Sequence, residues 1–169
     1  MNYLIVRRLL AYFADCVILF FVLAPIGFLV QHLFDLMSVS QNEIYFTILL
    51  NFSIPVWIYF IISDSSKSGA TLGKRFLGIK TVNQTGNRVS TRQAFFRTSI
   101  KMIPWELSHI AGFLLAPEPG LFNTASWSVI SLVYLLVFIY LFVAWRNKGE
   151  KSIHDIPART EVNFATKNR

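Results

Sequence analysis

Arg7-Arg8-Leu9-Leu10-Ala11-Tyr12-Phe13-Ala14-Asp15 opens the first long apolar run of the chain, and that run decides the fold. Leu9 to Val30 is 22 residues. At about 1.5 Å per residue it crosses a hydrocarbon core of about 30 Å. Two arginines stand at its mouth, and Asp15 lies inside it. An aspartate near the centre of a spanning helix costs roughly 2.5–3.5 kcal/mol to insert, so it faces protein or water and takes a partner. Arg8 shares a helix face with Asp15, but helical side chains lean toward the N-terminus, which carries Arg8 away. Arg97 or Lys101, reaching the membrane from the same side, is the expected partner. Two readings stay open: an ion pair that docks one helix on another, or a carboxylate that couples an ion.

The rest of the composition agrees with a membrane chain. Of 169 residues, 54% are hydrophobic and 15% charged, against about a quarter charged in a soluble domain. The apolar residues fall in blocks that predict four spans, at about 9–30, 44–63, 94–116 and 126–145. The third is the weakest: Met102 to Ala116 is 15 residues long and contains Glu106 and His109. Extending it back to Ala94 gains length and takes in Arg97 and Lys101, whose long side chains snorkel to the surface. Ser90 and Gln93 have capping-box spacing for its start. Every Lys and Arg lies before the first run, between the second and third, or after the fourth; the connections 31–43 and 117–125 carry none. Four spans with both termini inside satisfy the positive-inside rule. The single cysteine, Cys16, excludes an internal disulfide. The first run is too long for a cleaved signal and carries Asp15.

The predicted fold class is therefore an all-α transmembrane four-helix multi-pass bundle with a small cytoplasmic β-hairpin or sheet. It forms one domain over 1–164, followed by a loose tail at 165–169. The hairpin is expected at about 76–90. Phe76 to Asn83 is rich in β-formers, Asn83-Gln84-Thr85-Gly86-Asn87 is a turn signal, and Arg88-Val89 would return. Arg159 to Phe164 alternate and offer a third strand.

Several motifs bear on chemistry. Gly69-Ala70-Thr71-Leu72-Gly73-Lys74-Arg75 fails as a phosphate loop, being one residue short with Arg75 in place of the Ser/Thr that holds magnesium. Lys74, Arg75, Arg92 and Arg97 are candidate contacts to anionic lipid, against the plainer reading that such cations only set topology. No Cys or carboxylate cluster joins the three histidines, so no metal site is expected. Glu106 and His109, three apart on one helix face, form with Asp15 and Lys101 a candidate intramembrane ion site. The alternative is a polar pair satisfied by another helix. Arg8 is expected to hold Asp155 through a charge-assisted bond that pins the tail beneath the first helix.

Three stretches resemble the RDD family, named for one arginine and two aspartates. Arg7 to Asp15 is similar to its first-helix motif, with Arg8 and Asp15 as signature residues. Gly69 to Val82, followed by Gly86 and Ala94-Phe95-Phe96-Arg97, is similar to its central motif. Ser152-Ile153-His154-Asp155-Ile156-Pro157-Ala158-Arg159-Thr160-Glu161-Val162 is similar to its closing motif, which makes Asp155 the second aspartate. Arg159 stands where the family pattern often has Gly. The resemblance implies a multi-pass membrane protein of the bacterial inner membrane, for which transport has been proposed. Two function classes follow: transport of a small ion or solute, or a non-catalytic module that binds a protein partner, a second copy or anionic lipid through its basic face. No nucleophile–base pair or cofactor loop points to an enzyme. The basic balance is explained by topology rather than nucleic acid.

Overall fold

The computed structural model describes residues 3–33, 40–116, 118 and 121–165. Asp35 and Ser38 of the first connection, and residues 166–169 of the expected loose tail, lie outside the described residues.

Among the described residues, three helical stretches are long and apolar enough to cross a bilayer, where four spans were expected. They are α1 (Tyr3–Leu33), the continuous stretch Asn42–Ser65, and α6 (Thr124–Arg146). The second is assembled from α2 (Gln41–Ile48), a π-helical turn (Leu49–Ser53) and α3 (Ile54–Ser65). The expected third span forms as α5 (Thr91–His109) and a second π-helical turn (Ile110–Leu114). Its capping box is present: the Gln93 N–H donates to Ser90 Oγ at 3.2 Å, and the Ser90 N–H to Gln93 Oε1 at 3.2 Å. Arg92, Arg97, Lys101 and Glu106 within it set it apart from the apolar helices.

The remaining elements are α4 (Leu72–Phe76), β1 (Ile79–Asn83), α7 (Asp155–Ala158) and β2 (Thr160–Phe164). The expected hairpin return at Arg88-Val89 does not form. β1 pairs instead with β2 from the tail, antiparallel, with Ile79 opposite Phe164 and Asn83 opposite Thr160. The turn explains the difference. Asn83 Oδ1 accepts the N–H groups of Thr85 (3.0 Å) and Asn87 (2.9 Å), and Arg88 Nε then donates to the Ser65 carbonyl at 2.6 Å. That bond draws the chain toward α3. Both outer edges of the ribbon are covered, by Gly69, whose carbonyl accepts the Thr81 N–H, and by Glu150, whose carbonyl accepts that of Val162. Such cover blocks edge-to-edge association.

The chain folds as two compact units. The first comprises Met1–Ile18, Trp57–Lys101 and Ile139–Arg169. Its apolar centre is Leu4, Ala11, Ile79 and Val162, with Leu77 packed against them. The turn after α6 closes with the Gly149 N–H on the Ala144 carbonyl at 2.8 Å. Gly149 is required there: its φ is +85°, and a Cβ would lie 2.6 Å from the Ile5 nitrogen. The second unit comprises Leu19–Val56 and Met102–Phe138. In it Ser40 and Glu43 cap α2 reciprocally. Asn123 caps α6, accepting the Ser126 N–H at 2.9 Å while donating to the Leu115 carbonyl at 2.8 Å. Every Lys and Arg of the sequence belongs to the first unit, and none to the second.

Candidate functional site

In the first unit, charges of alternating sign form a chain. Arg8 Nη2 donates to Asp155 Oδ2 at 2.7 Å, and its Nη1 to the Gly149 carbonyl at 2.8 Å. Asp155 Oδ1 takes Arg97 Nη1. Arg97 Nε donates to Asp64 Oδ2 at 2.9 Å, and Lys74 Nζ to Asp64 Oδ1 at 2.5 Å. Hydroxyls and backbone complete the shells: Thr160 and the Ser152 N–H donate to Asp155, and Thr81 donates to Asp64 while accepting from Lys74. Asp64 and Asp155 are 0% exposed and Arg97 2%. Removing one member of such a chain leaves a buried charge uncompensated. Burial disfavours the Asp155 charge, but Arg97, His154 and Arg8 outweigh it and hold the carboxyl well below the usual range. Burial pushes His154 well below its ordinary value, despite Asp155 beside it. Burial likewise lowers Lys74, with Asp64 opposing.

The expected Arg8–Asp155 contact is thus present. Asp15, expected to meet Arg97 or Lys101, meets neutral donors instead. Tyr59 Oη donates at 2.7 Å, Thr71 Oγ1 at 2.6 Å and the Gly73 N–H at 2.8 Å. The apparent phosphate loop is the other half of this contact. Thr71 caps α4, accepting the Lys74 N–H at 3.2 Å, and a Cβ on Gly73 would collide with the Ala11 carbonyl and sit 3.0 Å from the Asp15 carboxyl carbon. Arg97 is unavailable to Asp15 because it bridges Asp64 and Asp155. Lys101 lies against ring faces, its Nζ 2.9 Å from the Phe60 centroid and 5.4 Å from that of Tyr12.

The four candidate lipid cations divide. Lys74 and Arg97 are buried within the charge chain. Arg75 and Arg92 remain at the surface. Arg75 donates to the Ala70 carbonyl at 3.2 Å and to Ser68 at 2.9 Å, and Arg92 lies over the Phe96 ring.

The ionisable residues of the second unit gather around Ser53. Its hydroxyl donates to Glu106 Oε2 at 3.0 Å and lies 3.3 Å from His109 Nδ1. Having given its one proton to Glu106, the hydroxyl accepts from that imidazole nitrogen. Glu106 and His109 are 3.8 Å apart, and Trp105 meets the imidazole edge-to-face at 5.0 Å. Ser53 is the last residue of the first π-helical turn, and His109 directly precedes the second. Turns of this kind are frequent at functional sites. The structure therefore keeps Glu106 with His109, as the i, i+3 spacing implied. Asp15 and Lys101 belong to the first unit.

Sequence reasoning missed Ser53, Tyr59, Asp64 and Thr71. Asp64 carried a readable signal, being a carboxylate at the end of an apolar run facing a basic connection. The other three are hydroxyls, which no spacing distinguishes from ordinary helix or cap residues.

Among the described residues, no group of three or more His, Cys, Asp or Glu is placed to hold a metal ion. Long apolar helices, a small ribbon formed with the tail and a buried charge chain define a helical membrane protein whose two chain ends are clamped together. The RDD family profile matches residues 4–159, nearly the whole chain, and the chain belongs to the RDD family. No curated protein and no solved structure matches it. Arg159, at the position where the family pattern often has Gly, adopts φ +54°, a left-handed conformation that glycine takes without cost.

Proposed function

We propose that this protein moves a small ion or solute across the bacterial inner membrane, and that Ser53, Glu106 and His109 form its ion site. One observation carries the reading: a carboxylate, an imidazole and a hydroxyl converge in a unit that contains no Lys or Arg. The first-unit carboxylates Asp64 and Asp155 are held charged by fixed cations. Glu106 instead has a serine hydroxyl and an imidazole beside it, and no Lys or Arg of its own unit. Such intramembrane groups mark ion and proton pathways. Asp15, saturated by three donors, serves docking in this scheme, and the chain has no catalytic role.

The test is flux in proteoliposomes across a panel of monovalent ions. Glu106→Gln should abolish the flux of the wild type while the protein still inserts and unfolds cooperatively, with a thermal midpoint lowered by only a few degrees. Full flux in a folded Glu106→Gln would overturn the assignment, as would a wild type that passes none of the ions.

The topology that goes with this reading has four spans, α5 and its π-helical turn making the third, and both termini in the cytoplasm. It rests on the one-sided placement of Lys and Arg. In a Cys16-replaced background, an impermeant thiol reagent applied outside should label Thr124→Cys but not Ser66→Cys or Asn147→Cys. The reverse pattern would invert the map.

A second reading is favoured by the exposure of Arg75 and Arg92: a non-catalytic module that binds anionic lipid, a protein partner or a second copy through its basic face. Absence of flux together with stable copurification of such a partner would select it.

A further inference from the structure

We propose that Arg7, held between the rings of Tyr3 and Phe164, is a binding site for the phosphate of an anionic phospholipid in the leaflet where α1 begins. This inference does not depend on the transport reading. Arg7 and Arg8 are neighbours with opposite fates. Arg8 is drawn inward to Asp155, whereas Arg7 has no carboxylate partner among the described residues. It is nonetheless fixed in place. Its Nη1 donates to the Leu77 carbonyl at 2.7 Å, and its guanidinium carbon lies 5.9 Å from the Tyr3 ring centroid and 5.5 Å from that of Phe164. A guanidinium has five N–H donors in a planar fork, and a phosphate accepts two of them in parallel. The Leu77 bond and the two rings hold the guanidinium in place, and that bond takes only one of its five N–H donors.

The level and the surroundings fit a headgroup. Arg7 precedes the apolar run at Leu9 by two residues, or about 3 Å along the helix, which places it at the edge of the hydrocarbon. Tyr3 and Phe164 are 71% and 51% exposed. An exposed ring beside a cation at this depth is the composition of a membrane-interface belt. A water-facing patch would gain little from two exposed rings, whereas a lipid surface accepts both the rings and the charge.

The experiment uses the full chain in nanodiscs of equal parts phosphatidylcholine and phosphatidylglycerol. Phosphatidylglycerol retained per protein is measured by native mass spectrometry. Arg7→Gln should weaken retention about fivefold, the worth of one near-surface cation. Lys67→Gln, an exposed cation outside the clamp, should leave it unchanged. Wild-type retention in a folded Arg7→Gln would overturn the site, and equal loss in Lys67→Gln would reduce it to diffuse attraction. If Arg7→Gln fails to accumulate, Arg7→Lys decides. It keeps the charge but not the fork, and retention should fall; unchanged retention overturns the proposal. Added inorganic phosphate should not displace the lipid from the wild type. Displacement would assign the fork to free phosphate and overturn the lipid assignment.

Discussion

The two units treat carboxylates in opposite ways. In the first, Asp15, Asp64 and Asp155 are each surrounded by donors from several elements, and Asp64 and Asp155 face arginine or lysine directly. In the second, which contains no Lys or Arg, Glu106 shares a serine hydroxyl with His109. Asp15, Asp64 and Asp155 are buried and Glu106 is half-buried; what differs most is that all the fixed cations lie in the first unit. A carboxylate locked by guanidinium groups cannot give up its charge without dismantling the fold, so it serves architecture. Glu106, beside a hydroxyl and an imidazole, is under no such constraint, and the proposed ion site is placed there for that reason.

The comparison is broken most directly by matched substitutions. Asp155→Ala should cost roughly 3–5 kcal/mol, because it leaves Arg97 and Arg8 buried without their carboxylate. Glu106→Gln should cost less than about 1.5 kcal/mol, since the amide keeps an acceptor for Ser53. Thermal unfolding in detergent measures both, and equal losses would erase the distinction between the units.

A double-mutant cycle sharpens it further. Arg8→Ala and Asp155→Ala should each destabilise, and together they should cost less than their sum by roughly 0.5–3 kcal/mol. Strict additivity would mean that the 2.7 Å contact carries no coupling.

The pH dependence is the next test. His154 binds a proton less readily in the fold than in the unfolded chain, where its pKa is about 6.5. Below about pH 6.5 the unfolded state therefore takes up more protons, and stability declines as pH falls. Above that pH the contribution is complete. Asp155, also held low, adds its own decline only below about pH 4, where unfolded aspartate titrates. His154→Gln should flatten the upper part of this profile; an unchanged slope there would assign it to another group.

The smallest effect expected is a gain. Arg159→Gly relieves the left-handed strain at φ +54° and should add about 0.5–1 kcal/mol, after the extra chain entropy of glycine. A loss of stability would show that the arginine side chain contributes more than its backbone strain costs.

The long apolar helices were legible because hydrophobic length is a local property. Arg8 with Asp155 was legible because two charges near the same membrane surface restrict each other's partners. The strand partner of β1 was not. Asn87-Arg88-Val89 looks like a return strand locally, and only the pull of Ser65 on Arg88 shows otherwise. Nor was the environment of Asp15: its charge points to a cation, and the fold uses a tyrosine, a threonine and a backbone amide. A buried carboxylate is satisfied by donors of any charge, and neutral donors leave no mark in a charge pattern.

The sheet and the charge chain both join the middle of the protein to its end, and this has a consequence for biogenesis. Arg97 and Asp155 are 58 residues apart in sequence. At about 5–20 residues per second, synthesis of that interval takes roughly 3–12 s. Throughout that time Arg97 has Asp64 but not Asp155, and β1 has no β2. The helices must therefore enter the bilayer before the clamp can close, and closure waits for the segment that follows α6. A ribosome that stops short of Asp155 releases a chain with its helices in place and its polar interior open, a form that a membrane protease can distinguish from the finished product.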